Sequence, residues 1–185
     1  MMKLILGSQS PRRRELLSQA GLDYEILIPD ADEKQITSSD PETKVIETAR
    51  LKSSVLTVDD NSVLLTCDTV VSHNNIIYEK PATVEDARQM IKALSGSTHE
   101  VYSGVILKSR GFEEIISDRT EVTFYELTDD EIEAYINTDE PYDKAGGYGI
   151  QSFGAVFVKE IKGDYNTVVG LPLSKVYRAL KKYGI

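Results

Sequence analysis

Apolar residues recur along this chain with two different spacings, which predict strands and helices in alternation. Consecutive or alternating apolar residues are typical of strands, and apolar residues three or four positions apart are typical of one helix face. The predicted strands are residues 3–6, 24–28, 63–71, 76–78, 100–107, 112–117, 120–125, 155–161 and 165–169. The predicted helices follow the capping residues Ser10, Asp40, Thr83 and Thr128, and a last helix starts at Pro172. This order predicts an α/β fold with a mixed sheet flanked by helices.

Turn residues refine this picture in three places. Asn74-Asn75, residues 109–111 and residues 162–164 each separate two strand-like runs and predict hairpins. The last of these would pair residues 155–161 with residues 165–169. Residues 24–28 alternate between apolar and polar, as expected for a half-buried strand.

Three consecutive arginines occupy the first turn of the first predicted helix. A helix N-terminus carries partial positive charge, so cations there are unfavourable unless an anion is bound by the free N–H and guanidinium groups. The helical spacing turns Arg13 toward the interior, Arg12 to the edge of that face and Arg14 toward water. The alternative is a solvated basic turn balanced by Glu15, and we favour the anion site.

Charged residues also interrupt two apolar patterns. Lys52 falls in the apolar stripe of the second predicted helix, so its ammonium must reach water, find a carboxylate or line a cleft. Asp68 lies inside the most strand-like run, where a carboxylate needs a metal, a cation or hydrogen bonds. We favour a functional site at Asp68. The alternative is a buried salt bridge or a kink in the strand. Glu33, in an acidic loop, is either solvated or a candidate Mg²⁺ ligand.

A glycine-rich segment, residues 140–151, carries two further polar side chains. Its glycines would let the backbone approach a ligand, to which Lys144 and Gln151 would offer their polar ends. The alternative is a flexible turn without a ligand. Lys80 ends the strand at residues 76–78 and adds another basic group.

Composition limits the function further. The 185 residues predict one domain, 1–185, and the formal net charge of −9 argues against broad binding to nucleic acid or an anionic membrane. A polyanion would therefore bind at a local basic pocket, where we expect a divalent metal. Cys67 is the only cysteine, and His73 and His99 are expected at the surface. The N-terminus does not resemble a signal peptide, no run is long enough to span a bilayer, and we expect a cytoplasmic location.

The candidate side chains suit hydrolysis of a phosphate ester or anhydride. The sequence contains no signature of a P-loop nucleoside triphosphatase, a dinucleotide-binding fold, a kinase or an α/β-hydrolase. Carboxylates can hold Mg²⁺ and orient a water, while basic groups stabilise charge that develops on phosphate oxygens. The candidate basic residues are Arg12, Arg13, Lys52, Lys80 and Lys144, and the candidate carboxylates are Glu33 and Asp68.

Short motifs occur in a fixed order over nearly the whole chain. They are Gly7-Ser8-Gln9-Ser10-Pro11-Arg12-Arg13, Asp68-Thr69-Val70-Val71, Lys80-Pro81, residues 140–146 with Gly149-Ile150-Gln151, and Gly163-Asp164-Tyr165 with Val169-Gly170-Leu171-Pro172. Each motif alone has little specificity, but the ordered set resembles the Maf family of nucleoside triphosphate pyrophosphatases. The resemblance implies an ITPase-like fold, with an elongated mixed sheet and a central cleft between two lobes. It also implies a homodimer and cleavage of dTTP and UTP between the α and β phosphates.

The resemblance also assigns roles to individual residues. Asp68 matches the catalytic base and, with Glu33, a site for Mg²⁺ or another divalent metal such as Mn²⁺. Arg12, Thr69 and Gln151 match positions tied to substrate choice, and a glutamine amide can pair with both donors and acceptors of a pyrimidine edge. The positions that match phosphate-binding and metal-binding groups are Ser8, Arg13, Glu33, Lys52, Lys80 and Lys144. Cys67 replaces a usual alanine, and we do not expect it to act as a nucleophile.

Two other functions remain open at this stage. One is a nucleotide-binding regulatory protein of cell division and septum formation, in which hydrolysis is incidental. The other is a sugar-phosphate phosphatase, which would release inorganic phosphate instead of pyrophosphate. A metal-binding carboxylate in a buried strand favours the pyrophosphatase, because a sensor does not need one.

Overall fold

The helices and strands follow the apolar pattern in most of the chain. The structure, a computed structural model, describes residues 2–185. Its strands are β1 (Lys3–Gly7), β2 (Glu25–Leu27), β3 (Ser62–His73), β4 (Ile76–Tyr78), β5 (Thr98–Ser109), β6 (Phe112–Phe124) and β7 (Val158–Lys162). Its α-helices are α1 (Pro11–Gln19), α2 (Pro41–Ser54), α3 (Val84–Leu94), α4 (Asp129–Ile136), α5 (Tyr165–Val169) and α6 (Leu173–Leu180). Short 3-10 helices cover Glu33–Gln35, Glu140–Asp143, Ala145–Gly147, Phe153–Phe157 and Lys181–Tyr183.

The strands form one mixed sheet in the order β2-β1-β3-β5-β6-β7, with β4 paired to β3. Strand β1 is parallel to both β2 and β3, whereas β4 is antiparallel to β3 and β7 is antiparallel to β6. The predicted α/β fold with a mixed sheet is therefore confirmed. None of the helices in residues 2–185 has the length and apolar character needed to cross a membrane.

The chain divides into two compact units, in agreement with the two lobes that the resemblance implies. The first unit consists of the described part of Met1–Thr69 together with Ser103–Asp118 and Gly170–Ile185, and the second consists of Val70–Tyr102 and Arg119–Val169. Each unit has its own buried apolar residues. Those of the first include Leu6, Leu17, Val45, Leu65 and Val176, and those of the second include Ile91, Leu94, Phe124, Tyr135 and Phe157.

Local sequence signals explain where the helices begin. The side chain of Asp40 accepts a hydrogen bond from the Thr43 N–H at 2.8 Å, which satisfies a free donor at the start of α2. Thr83 and Thr128 each form a capping box with the third residue of α3 and α4. The predicted asparagine turn is also present between β3 and β4, and both of its residues have positive φ.

Two sequence predictions about strands are wrong. Residues 165–169 form α5 instead of a strand, because the Asp164 carboxylate accepts the Asn166 N–H at 2.8 Å and starts a helix. All three residues of β2 are exposed, whereas a half-buried strand was expected. The strand is three residues long and lies at the edge of the sheet. Its alternating apolar residues are therefore not buried as the pattern predicted. Ile26, Leu27 and Ile28 are 42%, 37% and 59% exposed.

The expectation of a surface position for His99 is also wrong. His99 is 1% exposed and lies edge-on to the rings of Phe124 and Tyr148. Its Nε2 is 2.6 Å from the Tyr148 hydroxyl, and its Nδ1 is buried without a hydrogen-bond partner. Burial lowers the pKa of His99 to about 3. The ring is therefore a neutral core group, whereas His73 is only half-buried.

Candidate active site

The loop between β1 and α1 places Arg13 inside the first unit. The Ser10 side chain caps α1 by accepting the Arg13 N–H, and the guanidinium turns inward, leaving Arg13 9% exposed. Nε donates to the Gly170 carbonyl at 2.8 Å, Nη1 to Ser8 Oγ at 3.3 Å and Nη2 to Thr69 Oγ1 at 3.2 Å. These partners hold the guanidinium in one orientation and cross-link three separate segments of the chain.

All three partners of Arg13 are neutral. No ion pair found in residues 2–185 involves Arg13, and the groups that accept its hydrogen bonds are a carbonyl and two hydroxyls. A buried charge without a counter-charge is unfavourable, and an anion bound beside it removes part of that cost. The arrangement thus supports the anion site predicted from the arginine run.

The other two arginines of α1 differ from Arg13. Arg12 is half-buried, in line with its predicted place at the edge of the interior face. Arg14 was expected to face water, but it is half-buried, and its Nε is buried without a partner while Nη2 donates to the Gln9 carbonyl at 3.0 Å. The prediction for Arg14 is therefore wrong, since its side chain folds back over the preceding loop.

A second cluster in the same unit joins Lys52, Asp68 and Glu33. Lys52 Nζ lies 2.9 Å from Asp68 Oδ1 and 3.3 Å from Glu33 Oε1, and it also donates to the Cys67 carbonyl at 3.4 Å. The side chains of Lys52 and Asp68 are 11% and 14% exposed, whereas Glu33 is 52% exposed. Of the three predicted possibilities for Lys52, the structure selects a carboxylate partner.

The two carboxylates of this cluster fit the hard oxygen ligands that Mg²⁺ prefers. Oxygens of both Glu33 and Asp68 reach the same ammonium nitrogen, so both can face one cation. No group of three or more His, Cys, Asp or Glu side chains suited to a metal occurs in residues 2–185. A magnesium ion held here would need water and phosphate oxygens for its other positions, which is its usual mode of binding at phosphate sites.

The Gly170 carbonyl is a shared acceptor that sequence reasoning missed. Besides Arg13 Nε, it accepts from Thr69 Oγ1 and from Cys67 Sγ, each at 3.3 Å. Thr69 Oγ1 also shares a hydrogen bond of 2.8 Å with Ser103 Oγ. Gly170 belonged to a quoted motif, which was the available signal, whereas nothing in the sequence indicated Ser103. Burial raises the pKa of the Cys67 thiol, which supports the expectation that it is not a nucleophile.

In the second unit, Lys144 is held against the backbone of the glycine-rich segment. Its Nζ donates to the Glu140 carbonyl at 2.8 Å and to Asp143 Oδ1 at 2.7 Å. A Cβ atom on Gly149 would lie 2.6 Å from Lys144 Cε, so only glycine leaves room for the lysine stem. Gly146 has a positive φ of 72°, which glycine adopts without strain.

Gln151 and Lys80 are both exposed residues of the second unit. Lys80 follows β4, where the preceding Glu79 carbonyl accepts the Gly146 N–H at 3.1 Å and ties this segment to the glycine-rich one. The structure thus brings Ser8, Arg13 and Thr69 together and brings Glu33, Lys52 and Asp68 together. It places Lys80, Lys144 and Gln151 in the second unit, whereas Arg12 lies in the first. Glu140, which accepts the Phe153 and Gly154 N–H groups at 2.9 and 3.0 Å, was not a candidate.

The fold and these clusters define an α/β protein with a buried guanidinium group and with an ammonium group paired to two carboxylates. The chain belongs to the Maf-like protein family, whose family model matches residues 3–183.

Curated relatives are similar over the full length. A dTTP/UTP pyrophosphatase of Bacillus cereus (strain ZK / E33L) is 45% identical, with 100% of this chain and 97% of that protein covered. A dTTP/UTP pyrophosphatase of Bacillus cytotoxicus is 46% identical, with 99% and 96% covered. Among solved structures, a HAM1 protein from Coxiella burnetii is similar over 98% of this chain and 100% of its own, at 13% identity and a TM-score of 0.49. That score is too low to support an argument about this chain.

Proposed function

We propose that this protein is a nucleoside triphosphate pyrophosphatase that hydrolyses dTTP and UTP to the monophosphate and pyrophosphate. The observation that carries the proposal is the Asp68-Thr69 pair on β3. Asp68 contacts Lys52, and Thr69 contacts the buried Arg13, so adjacent residues join a carboxylate cluster to an anion-binding arginine. The substrates follow from the relatives that are about 45% identical over the whole chain.

Asp68 is the proposed catalytic base. Its carboxylate orients a water and takes its proton while the water oxygen bonds to a phosphorus of the α–β bridge. The bridging P–O bond breaks, and the products are the monophosphate and pyrophosphate. Charge that builds on the phosphate oxygens is stabilised by basic and hydroxyl groups. The proposed groups are Ser8, Arg12, Arg13, Lys52, Lys80 and Lys144.

Mg²⁺ is the proposed cofactor, with Mn²⁺ as the alternative, and Asp68 and Glu33 would hold it. When bound, the metal supplies Lewis-acid stabilisation of negative charge on the phosphates. The support is the pair of oxygens that already converge on the single Lys52 ammonium. Arg12, Thr69 and Gln151 are proposed to select the pyrimidine nucleotide.

Partners and location complete the proposal. The net charge of −9 supports a small polyanionic substrate instead of nucleic acid or a membrane surface. A buried free thiol at Cys67 suits a cytoplasmic location, because no disulfide is needed. We also propose a homodimer, for which the candidate contact is Ile26 and Leu27 on the edge strand β2 together with Ile28, which follows it. Light scattering of Ile28→Lys against wild type tests this contact, and an unchanged mass would contradict it.

The direct test is a panel of nucleoside triphosphates with the products identified in the presence of Mg²⁺. We expect pyrophosphate, with dTTP and UTP as the best substrates. Release of inorganic phosphate from sugar phosphates would favour a phosphatase. Nucleotide binding without any turnover would favour the septum-related regulatory role, and either outcome would overturn the proposal.

A further inference from the structure

Glu140 has no role in the proposed reaction, yet its carboxylate accepts two backbone hydrogen bonds in the second unit. It accepts the backbone N–H of Phe153 at 2.9 Å and that of Gly154 at 3.0 Å. Each of the two carboxylate oxygens holds one of these donors. A carboxylate bonded to two successive N–H groups fixes the segment that donates to it.

The segment fixed in this way contains Gln151. On its C-terminal side, Phe153 and Gly154 donate to Glu140 directly. On its N-terminal side, Gly149 packs against Gly154, where an added Cβ on Gly154 would lie 2.4 Å from the Gly149 carbonyl oxygen. Both flanks of Gln151 therefore contact or contain residues that Glu140 holds, while Gln151 itself stays exposed.

The same carboxylate acts on Lys144 through Gly149. The stem of Lys144 lies against Gly149, where an added Cβ would be 2.6 and 2.7 Å from Cε and Cδ. Lys144 Nζ is then held by the carbonyl of Glu140 at 2.8 Å. Movement of Gly149 would therefore move the ammonium group.

We infer that Glu140 is a positioning residue that sets Gln151 for reading the base and Lys144 for binding phosphate. This inference rests on the proposed function, because it needs those two roles. In this role the Glu140 carboxylate acts through the segment 149–154.

The charge state of Glu140 agrees with this role. Burial acts to raise the pKa of Glu140, but hydrogen bonding to its carboxylate, including that of the Gly154 and Phe153 N–H groups, outweighs it and keeps the pKa below its usual range. The side chain is therefore an ionised acceptor at neutral pH. Glutamine at this position would replace one of the two acceptor oxygens by an NH₂ group, which cannot accept a hydrogen bond from a backbone N–H.

The experiment compares Glu140→Gln with a matched control, Asp86→Asn. Asp86 also accepts two backbone N–H groups, those of Ala82 and Thr83 at 3.2 and 3.0 Å, but belongs to the cap of α3. We expect Glu140→Gln to raise the KM for dTTP about tenfold and to lower the preference for dTTP over dCTP, with kcat changed less than about threefold. Asp86→Asn should leave KM and preference unchanged. Equal effects of the two variants, or a fall in kcat alone, would overturn the inference.

Adding Glu140→Gln to a double-mutant background separates positioning from general damage. If Glu140 acts through Gln151 and Lys144, Glu140→Gln should change KM and preference less than about twofold in the Gln151→Ala, Lys144→Ala background. Fully additive effects would contradict the inference.

Hydrogen exchange gives a readout that needs no activity. The amides of Phe153 and Gly154 should exchange at least about tenfold faster in Glu140→Gln than in wild type or Asp86→Asn. Unchanged exchange would refute the fixing of this segment. If these amides exchange faster in Glu140→Gln but the wild type releases no pyrophosphate, the result counts against the proposed function alone.

Discussion

Lys52 Nζ lies 2.9 Å from Asp68 Oδ1, and the two side chains are only 11% and 14% exposed. Lys52 has a second carboxylate partner in Glu33 at 3.3 Å. The pair is therefore asymmetric, because Lys52 keeps a partner when Asp68 is neutralised, whereas Asp68 loses its ion pair when Lys52 is removed. Removing one member of a buried pair costs about 3 kcal/mol or more, so substitution at Asp68 is the gentler way to test this cluster.

Asp68→Asn is expected to lower kcat by about a thousandfold, because the amide cannot accept the proton of water. Nucleotide binding and the fold should remain, since Glu33 still pairs with Lys52. Pyrophosphate release and calorimetric titration with dTTP measure the two effects. The exposed Asp23→Asn serves as the control, and unchanged turnover in Asp68→Asn would refute the assigned role.

Arg13→Lys is expected to lower the free energy of unfolding by about 1 to 3 kcal/mol and to raise the KM for dTTP. An ammonium group cannot reproduce the three directed bonds to Gly170, Ser8 and Thr69. Urea unfolding and steady-state kinetics measure both quantities. Arg14→Lys is the matched control, because the hydrogen bond found for the Arg14 side chain within residues 2–185 is local and goes to the Gln9 carbonyl. If the two variants behave alike, the cross-linking role of Arg13 is wrong.

Gln151→Ala is expected to weaken the preference for dTTP and UTP over dCTP more than it weakens turnover of dCTP. The exposed amide can donate and accept along a pyrimidine edge, and alanine can do neither. The ratio of kcat/KM values for dTTP and dCTP measures this. The control is Gln89→Ala, an exposed glutamine on α3 that lies outside the glycine-rich segment. Equal losses on both nucleotides would count against base reading.

The buried His99 should make the protein less stable as the pH falls below about 6.5. Burial lowers its pKa from 6.5 to about 3, so below pH 6.5 the unfolded chain binds more protons than the folded protein. This contribution to stability is complete above the unfolded pKa and is lost as the pH falls toward the folded one. At pH 5 the loss should reach about 2 kcal/mol.

Unfolding in urea at pH 7, 6 and 5 measures this dependence. The window lies above the usual pKa of carboxyl groups, so carboxylates with lowered pKa, such as Glu100 and Glu133, contribute little there. In His99→Leu the slope over this window should flatten, although stability at pH 7 falls because Tyr148 loses a partner. An unchanged slope would show that His99 does not titrate as expected.

Local chemistry was enough to place most helices and the asparagine turn. The caps at Ser10, Asp40, Thr83 and Thr128 depend on side chains that bond to N–H groups three residues away, so nearby sequence contains the whole signal. The same reasoning failed for residues 165–169, where a β-like composition was overruled by the Asp164 side chain. It also failed for β2, because exposure depends on which strands and helices lie nearby.

By itself, the sequence determined the mixed α/β class, the inward face of Arg13 and the need of Asp68 for a compensating group, because helical and strand periods are properties of neighbouring residues. Only the tertiary structure decided which groups meet. Arg13 finds a carbonyl 157 positions away at Gly170, Lys52 finds Asp68 and Glu33 together, and Glu140 gathers the segment around Gln151. Contacts of this kind form between segments that are far apart in the chain, so no local pattern encodes them. Burial of His99 has the same origin, since a lone histidine in a strand carries no sign of the rings that enclose it.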